Sequence, residues 1–290
     1  MKYIITLFTG VCLSCAVSFA QPKFDPNGVY LIIRGDDIAS SQAANEACIK
    51  SYREGILKST EIMVPSPWFT EAVKLLKENP GLDVGVHLVL TSEWENIKWR
   101  PLTCSPSLVD SNGYFYPMLW KRNDFPPHTS LLEASWKLSE IEAEFRAQLE
   151  MAKKHIPQVS HISAHMGCTD IDGSVTKMAD KLAREYKIDI NPGKYNVKYF
   201  DGFNGSQSEE TKEATFIANL KKLKPGVYLF VEHPGLNTPE MNHLGHLGYY
   251  TVAGERQLVT DLFTSQAVKS AIKDKNIRVI SYSDLPKLKP

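Results

Sequence analysis

Gly28-Val-Tyr-Leu-Ile-Ile-Arg-Gly-Asp-Asp37 is the stretch that decides the fold, because an apolar run between two glycines leads directly into two carboxylates. The β-branched and aliphatic residues at 29–33 predict a buried strand. Further apolar runs of strand length alternate with segments of helical spacing. We expect strands at 61–64, 82–90, 159–164, 226–232 and 277–280, a further candidate strand at 188–190, and helices at 41–54, 68–78, 131–154, 174–186, 209–223 and 256–273. This alternation predicts a parallel sheet or barrel of the α/β class, with a site at the carboxyl ends of the strands.

The composition is that of a globular enzyme rather than a nucleic-acid-binding protein. The 290 residues suit one large α/β domain or two small ones. Lys and Arg together number 33, as do Asp and Glu, so the formal net charge is zero. This balance gives no reason to expect a phosphate backbone as partner. No glycine-rich phosphate loop follows any expected strand, which argues against a nucleotide site.

The first 20 residues have the pattern of a secretory leader. Lys2 gives a positive start, residues 4–17 are mostly apolar, and Ser18-Phe-Ala20 offers small residues where a signal peptidase cleaves. The apolar run is too short to span a bilayer comfortably, so we expect no stable membrane insertion. Cleavage after Ala20 would give a secreted or periplasmic protein that begins at Gln21.

The cysteines do not form a recognisable metal or disulfide pattern. Two of the five lie in the leader, and Cys48, Cys104 and Cys168 remain. Their number is odd and no CxxC spacing occurs among these three, so we expect buried or half-buried thiols and at most one disulfide.

Carboxylates and imidazoles lie at or near the ends of several of the expected strands, which is where an α/β barrel builds its site. They are Asp36, Asp37, His87, His161, His165 and His233. One carboxylate and two imidazoles would hold a divalent cation, and a second carboxylate would suit a general base. Taken singly, each residue is more often structural, as a hydrogen-bonded histidine or a turn or helix cap. Spacing alone leaves open which aspartate binds metal, and whether His161 or His165 does.

A long segment at 91–130 is irregular and rich in aromatic residues, and loops of this length are usually functional. It contains Trp94, Trp99, Tyr114, Tyr116 and Trp120. Their rings would suit stacking on sugar faces, or would equally form a hydrophobic cluster that packs the loop.

Several ordered motifs together resemble one family. They are Leu31-Ile-Ile-Arg-Gly-Asp-Asp-Ile38, Gly81-Leu-Asp-Val-Gly-Val-His-Leu-Val-Leu-Thr91, Ser160-His-Ile-Ser-Ala-His165 and Val231-Glu-His-Pro234. In this order they resemble the YdjC-like carbohydrate deacetylases, which include the chitooligosaccharide deacetylases. The resemblance covers about 30–285.

The resemblance implies a distorted (β/α) TIM-like barrel, with residues 21–290 as a single domain. It implies one divalent metal ion, with Zn²⁺ and Mg²⁺ the first candidates, held by Asp37, His87 and His165. Asp36 would be the general base and His233 the acid. The partner would be an N-acetylated sugar or oligosaccharide rather than a nucleic acid, and a homodimer remains open.

The chain departs from the family motifs at a few positions. Arg34-Gly35 precedes the two aspartates where the family often has Asn-Ala, Ser163 replaces an Asp, and Gly167 stands where a further His is usual. Carboxylates commonly hold metal-bound imidazoles, so the loss at 163 predicts a loosely held metal. By the same argument, Ser163→Asp is expected to tighten binding.

The function that follows is metal-dependent hydrolysis of the N-acetyl groups of amino sugars. One alternative is a metal-dependent amidase or esterase on the same barrel. Another is a non-catalytic sugar-binding protein of the envelope. Release of acetate together with a free amino sugar distinguishes the first function from both.

Overall fold

The fold is built on a parallel sheet, seen in a computed structural model that describes residues 25–203 and 209–288. Seven strands are found in these residues: β1 (Val29–Ile38), β2 (Ser59–Ile62), β3 (Asp83–Leu88), β4 (Val159–Ala164), β5 (Lys198–Tyr199), β6 (Gly226–Glu232) and β7 (Ile277–Ile280). Their order is β4-β3-β2-β1-β6-β5, and β7 also pairs with β1. Every pairing is parallel. The expected distorted TIM-like α/β barrel is therefore confirmed.

Strand β1 lies at the centre of the sheet. On one side β6 pairs with it along residues 29–35, while the other side is shared between β7, at 29–32, and β2, at 34–38. Its residues are buried on both faces, apart from the half-buried Arg34. Covering both faces of a parallel strand requires a continuous apolar run, which explains why this stretch was recognisable in the sequence.

Seven α-helices accompany the strands within the described residues. They are α1 (Gln42–Arg53), α2 (Phe69–Glu78), α3 (Leu138–His155), α4 (Gly173–Glu185), α5 (Glu209–Lys222), α6 (Val252–Thr264) and α7 (Gln266–Asp274). Most match the expected helices within one or two residues. The helix expected from 131 begins only at Leu138, because residues 131–133 form a separate 3₁₀ turn closed by a capping box between Ser130 and Glu133.

Two other expectations about the elements were wrong. The single helix expected at 256–273 is in fact two helices, α6 and α7, which are divided at Ser265. The hydroxyl of Ser265 caps α7 by accepting hydrogen bonds from the amides of Ala267 and Val268. Residues 188–190 are not a strand, since the amide of Ile188 donates to the carbonyl of Ala183 at the end of α4. The strand in this region is β5.

A bulge at the carboxyl end of β1 places the two aspartates. The pairing register with β2 shifts between Gly35 and Ile38, and Asp37 takes a left-handed φ of 71°. The side-chain oxygen of the buried Asn45 accepts from the amide of Ala39, 2.7 Å away, and so fixes the chain just beyond the bulge. A bulge redirects side chains, so Asp36 and Asp37 need not alternate as in a regular strand.

None of the helices in the described part of the chain has the length and apolar content needed to cross a bilayer. The predicted leader, residues 1–20, lies outside the described residues. Cys48, Cys104 and Cys168 are free thiols. Cys48 and Cys168 are buried as expected, whereas Cys104 is exposed, contrary to the expectation.

Candidate active site

Three side chains from different parts of the sheet converge on one buried point. Asp37 stands at the end of β1, His87 on β3, and His165 directly after β4. One ligand atom from each lies within 4.8 Å of the other two. Oδ1 of Asp37 is 3.6 Å from Nε2 of His87 and 3.4 Å from Nδ1 of His165. Such a set of one carboxylate and two imidazoles matches the ligands of catalytic zinc sites.

The two oxygens of Asp37 have different surroundings. Oδ2 accepts a 2.7 Å hydrogen bond from Nη2 of Arg256, whereas Oδ1 is buried without a hydrogen-bond partner. Burial favours protonation, but Arg256 holds the pKa of Asp37 well below its usual range, so the carboxylate is ionised. A buried carboxylate oxygen without a partner is costly. A cation beside the two imidazoles would satisfy it, so these residues fit a metal ion.

His165 is oriented by a second carboxylate. Its Nε2 lies 3.1 Å from Oε2 of Glu93, which leaves Nδ1 facing Asp37. Burial opposes protonation of the ring, but Glu93 and Asp37 raise the pKa of His165 to about 10. A metal ligand must give up its proton, so metal binding at this ring displaces one.

His87 differs in its charge. Burial lowers the pKa of His87 to about 4, so the ring is neutral near pH 7. Its Nδ1 lies 2.7 Å from the hydroxyl oxygen of Ser163. Its Nε2 faces both aspartates, at 3.8 Å from Oδ2 of Asp36 and 3.6 Å from Oδ1 of Asp37. Because of the bulge, both carboxylates approach the same imidazole, rather than pointing in opposite directions.

Asp36 is held by an arginine and lies outside the set of three ligands. Nε and Nη2 of Arg34 donate to its two oxygens at 2.7 and 2.8 Å. The third nitrogen of Arg34 donates to the hydroxyl of Tyr282 at 3.0 Å. The bidentate pairing between Arg34 and Asp36 fixes the plane of the Asp36 carboxylate. Each oxygen keeps a further lone pair, so the group can still accept a proton.

His233 follows β6 at the more open side of the site. Its side chain is 43% exposed, and its Nε2 lies 4.0 Å from Oδ2 of Asp37. Burial opposes protonation, but the Asp37 carboxylate raises the pKa of His233 above its ordinary value. The ring therefore holds its proton more tightly than a free imidazole and is partly exposed to solvent.

Comparison with known proteins identifies the family. The profile described as YdjC-like protein matches residues 30–274, which is most of the chain. The chain belongs to the YdjC-like family. A relative named carbohydrate deacetylase 1, from Listeria innocua, is 26% identical over 88% of this chain and 99% of its own length. A carbohydrate deacetylase from Thermus thermophilus is 31% identical over 72% of this chain and 79% of its own.

A solved structure agrees with this membership. A protein from Enterococcus faecalis, described as a cellobiose-phosphate cleavage protein, superposes with a TM-score of 0.69 and 25% sequence identity. The match covers 89% of this chain and 99% of that one.

In this YdjC-like chain, the structure brings together the residues that the family resemblance selected. Asp37, His87 and His165 form the group of three, and Asp36 and His233 lie at its edge. His161, the alternative third ligand, points elsewhere. Its Nε2 lies 2.6 Å from Oε1 of Glu61, and its ring stacks on Tyr282 with centroids 3.8 Å apart.

Sequence reasoning missed three buried charged residues around the site. Glu61, Glu93 and Arg256 contact His161, His165 and Asp37 respectively. An acidic residue at the start of the strand expected at 61–64 was a usable signal for Glu61, because charges are rarely buried without a partner. The local sequence around Glu93 and Arg256 contains no comparable signal.

In the aromatic loop of this YdjC-like protein, some of the rings are buried and others are exposed. Trp94 and Trp99 are 2% and 3% exposed, so the packing alternative is confirmed for these two. Trp94 stacks on His246 and lies beneath the guanidinium of Arg256, 5.5 Å from the ring centroid. Trp120 is half exposed and available to a ligand.

Proposed function

We propose that this protein is a metal-dependent deacetylase that hydrolyses the N-acetyl groups of amino sugars or their oligosaccharides. The buried group of Asp37, His87 and His165, with one carboxylate oxygen left without a partner, carries the proposal. Membership of a family whose relatives are named carbohydrate deacetylases supplies the substrate class.

Two imidazoles favour Zn²⁺ over Mg²⁺, because magnesium prefers oxygen ligands. A divalent ion held by these side chains would lower the pKa of a bound water and polarise the acetyl carbonyl. The protein contributes the geometry of this site. Arg256 fixes the orientation of the Asp37 carboxylate, and Glu93 fixes the ring of His165.

The remaining residues manage the protons of the hydrolysis. The water oxygen bonds to the acetyl carbon, the carbon–nitrogen bond breaks, and the nitrogen leaves as an amine. Asp36, held in place by Arg34, accepts the proton from the water. His233 donates a proton to the departing nitrogen, which leaves poorly unless it is protonated. Its raised pKa favours the charged ring that this role needs.

The test is acetate release from N-acetylated oligosaccharides, with the metal-free protein supplied in turn with Zn²⁺ and Mg²⁺. We expect acetate and a free amino sugar in equal amounts, with Zn²⁺ the more effective metal. Cleavage of simple amides or acetate esters without activity on N-acetyl sugars would instead indicate a general amidase or esterase. Sugar binding without turnover in the presence of metal would indicate a binding protein.

A further inference from the structure

A buried chain of hydrogen bonds reaches His87 at Nδ1, the ring nitrogen that does not face the two aspartates. Glu61, whose side chain is fully buried on β2, accepts a hydrogen bond at Oε2 from the hydroxyl of Ser163. The Ser163 oxygen in turn lies 2.7 Å from Nδ1 of His87. The other Glu61 oxygen, Oε1, lies 2.6 Å from Nε2 of His161. Glu61 thus connects to a metal ligand through one hydroxyl.

The charge of Glu61 determines the direction of these hydrogen bonds. Burial would raise the pKa of Glu61, but Nε2 of His161 and Nε of Arg34, which lie 2.6 and 3.9 Å from its Oε1, hold that pKa below its usual range. An ionised carboxylate has no proton to donate, so the single hydroxyl proton of Ser163 must point at Glu61. The Ser163 oxygen then acts as an acceptor towards His87. Nδ1 of His87 therefore carries the proton of the neutral ring, and the lone pair is on Nε2.

The surroundings of Nε2 agree with this assignment. The aspartate oxygens that face it are 3.6 and 3.8 Å away, beyond the usual length of an N–H···O hydrogen bond. A protonated Nε2 beside two carboxylates would be drawn into a hydrogen bond. The lone pair of Nε2 and the two aspartate oxygens instead point towards a shared space that suits a cation.

We infer that Glu61 is a positioning residue, which acts through the Ser163 hydroxyl to keep the proton of His87 on Nδ1 and leave Nε2 free for metal. The inference rests on the proposed function, because it assumes that His87 is a ligand. Ser163 stands where the family motif carries Asp. The replacement of Asp by Ser at position 163 removes a carboxylate beside His87. Glu61 supplies a carboxylate from β2, which is two strands away from β4 in the sheet, and it reaches the ring through the Ser163 side chain.

A matched pair of variants at position 163 tests the hydroxyl. Ser163→Thr keeps the hydroxyl, whereas Ser163→Val has nearly the same shape without it. The tautomer of His87 is read from the ¹⁵N NMR spectrum of the metal-free, histidine-labelled protein, and Zn²⁺ affinity is read by calorimetry. We expect the Thr variant to keep the Nδ1–H form and wild-type affinity. The Val variant should gain the Nε2–H form and bind Zn²⁺ about 10- to 100-fold more weakly.

A second pair tests the carboxylate. In Glu61→Gln the amide can donate as well as accept, so Ser163 is no longer forced to accept from His87. We expect the same change of tautomer and the same weakening of Zn²⁺ binding. Glu144→Gln is the control, because Glu144 is equally buried but bonds to Leu102, Thr103 and Gln148 rather than to Ser163 or a proposed ligand. This control should leave both readouts unchanged.

The inference and the proposed function fail in different ways. A proton on Nε2 of His87 in the wild-type protein, or equal zinc affinity of the Thr and Val variants, would overturn the inference. Absence of zinc binding by a wild-type protein with the Nδ1–H form would contradict the proposed metal while supporting the role of Glu61 in setting the tautomer.

Discussion

The proposed roles of Asp36 and His233 are separable from metal binding, because each lies beside the three proposed ligands without belonging to that group. We predict that Asp36→Asn and His233→Ala each retain zinc and lose activity by about 10²-fold or more, as expected when a general base or acid is removed. Zinc titration and acetate release measure the two effects separately. His243→Ala, in an exposed turn, is the control. If Asp36→Asn lost zinc and activity together, Asp36 would be a ligand.

Substitutions of His161 and His165, the two histidines of the motif at 160–165, should have different effects on zinc binding. His165→Ala is expected to abolish zinc binding, because the ring supplies one of three ligands. His161→Gln is expected to spare zinc largely but to destabilise the fold by about 3–5 kcal/mol, because it leaves the buried Glu61 without its charged partner. Calorimetry and urea unfolding provide the two measurements. Tight zinc binding by His165→Ala would exclude it as a ligand.

The position of Glu61 reverses the expectation that Ser163→Asp tightens metal binding. A carboxylate at 163 would contact that of Glu61 within the buried interior, and like charges at such a distance repel. We predict that Ser163→Asp alone is less stable and binds zinc no more tightly than the wild type. Adding Glu61→Gln should recover stability, so that the two substitutions are not additive in urea unfolding. Additive losses would show that the two side chains do not interact.

The residues of the site could be predicted in part from the sequence. Asp37, His87 and His165 lie at or near the ends of strands that the apolar runs located, so their convergence at one edge followed from the fold. Glu61, Glu93 and Arg256 could not be assigned in this way. Each acts on a residue more than 70 positions away or across several elements, and the pairing depends on tertiary packing that local spacing does not encode.

At the scale of elements, three neighbouring strands place Glu61 and His161 together across a glycine. Glu61 on β2 pairs in register with Gly85 on β3, and Gly85 pairs with His161 on β4. The side chains of Glu61 and His161 meet above the backbone of Gly85, which has no side chain to separate them. A Cβ at Gly85 would lie 2.1 Å from Oε2 of Glu61 and 2.5 Å from Nε2 of His161. The middle strand therefore requires glycine at this position.

We predict that Gly85→Ala lowers the free energy of unfolding by about 1–3 kcal/mol or more, the usual cost of overpacking. The reason is that both buried partners, Glu61 and His161, must move. Gly254→Ala is the matched control, because a Cβ there has nothing within 4 Å and helix α6 gains a better helix former. That control should be stabilising by roughly 0.5–1 kcal/mol. Urea unfolding of both variants is the measurement. A Gly85→Ala protein as stable as the wild type would mean that the Glu61–His161 contact is dispensable.

Element boundaries show where sequence patterns reach their limit. Strand β4 was predicted at its observed bounds. The break between α6 and α7 was missed, since the apolar spacing continues through it. There the hydroxyl of Ser265 competes for backbone amides and begins a new helix. The bulge at Asp37 was missed for a similar reason, because two aspartates in sequence do not reveal a left-handed φ.

At the scale of the whole molecule, we propose that the protein works outside the cytoplasm after removal of residues 1–20. The proposal rests on the charged start, apolar core and small-residue cleavage site of this segment. We predict that the native protein begins at Gln21, which N-terminal sequencing of material from the producing cell would detect. A native protein that begins at Met1 would contradict export by cleavage. Ala20→Pro, at the cleavage site, should cause the uncleaved form to accumulate.

The division of one flank of β1 between β2 and β7 affects the order in which the chain can fold during translation. The ribosome completes the two aspartates early, but β6 and β7, which support β1, emerge near the end of the 290-residue chain. Closing loops of this length costs entropy before the contacts that stabilise them form. A nascent chain stalled before residue 277 would therefore carry all three proposed metal ligands and still lack the strand that flanks the first half of β1.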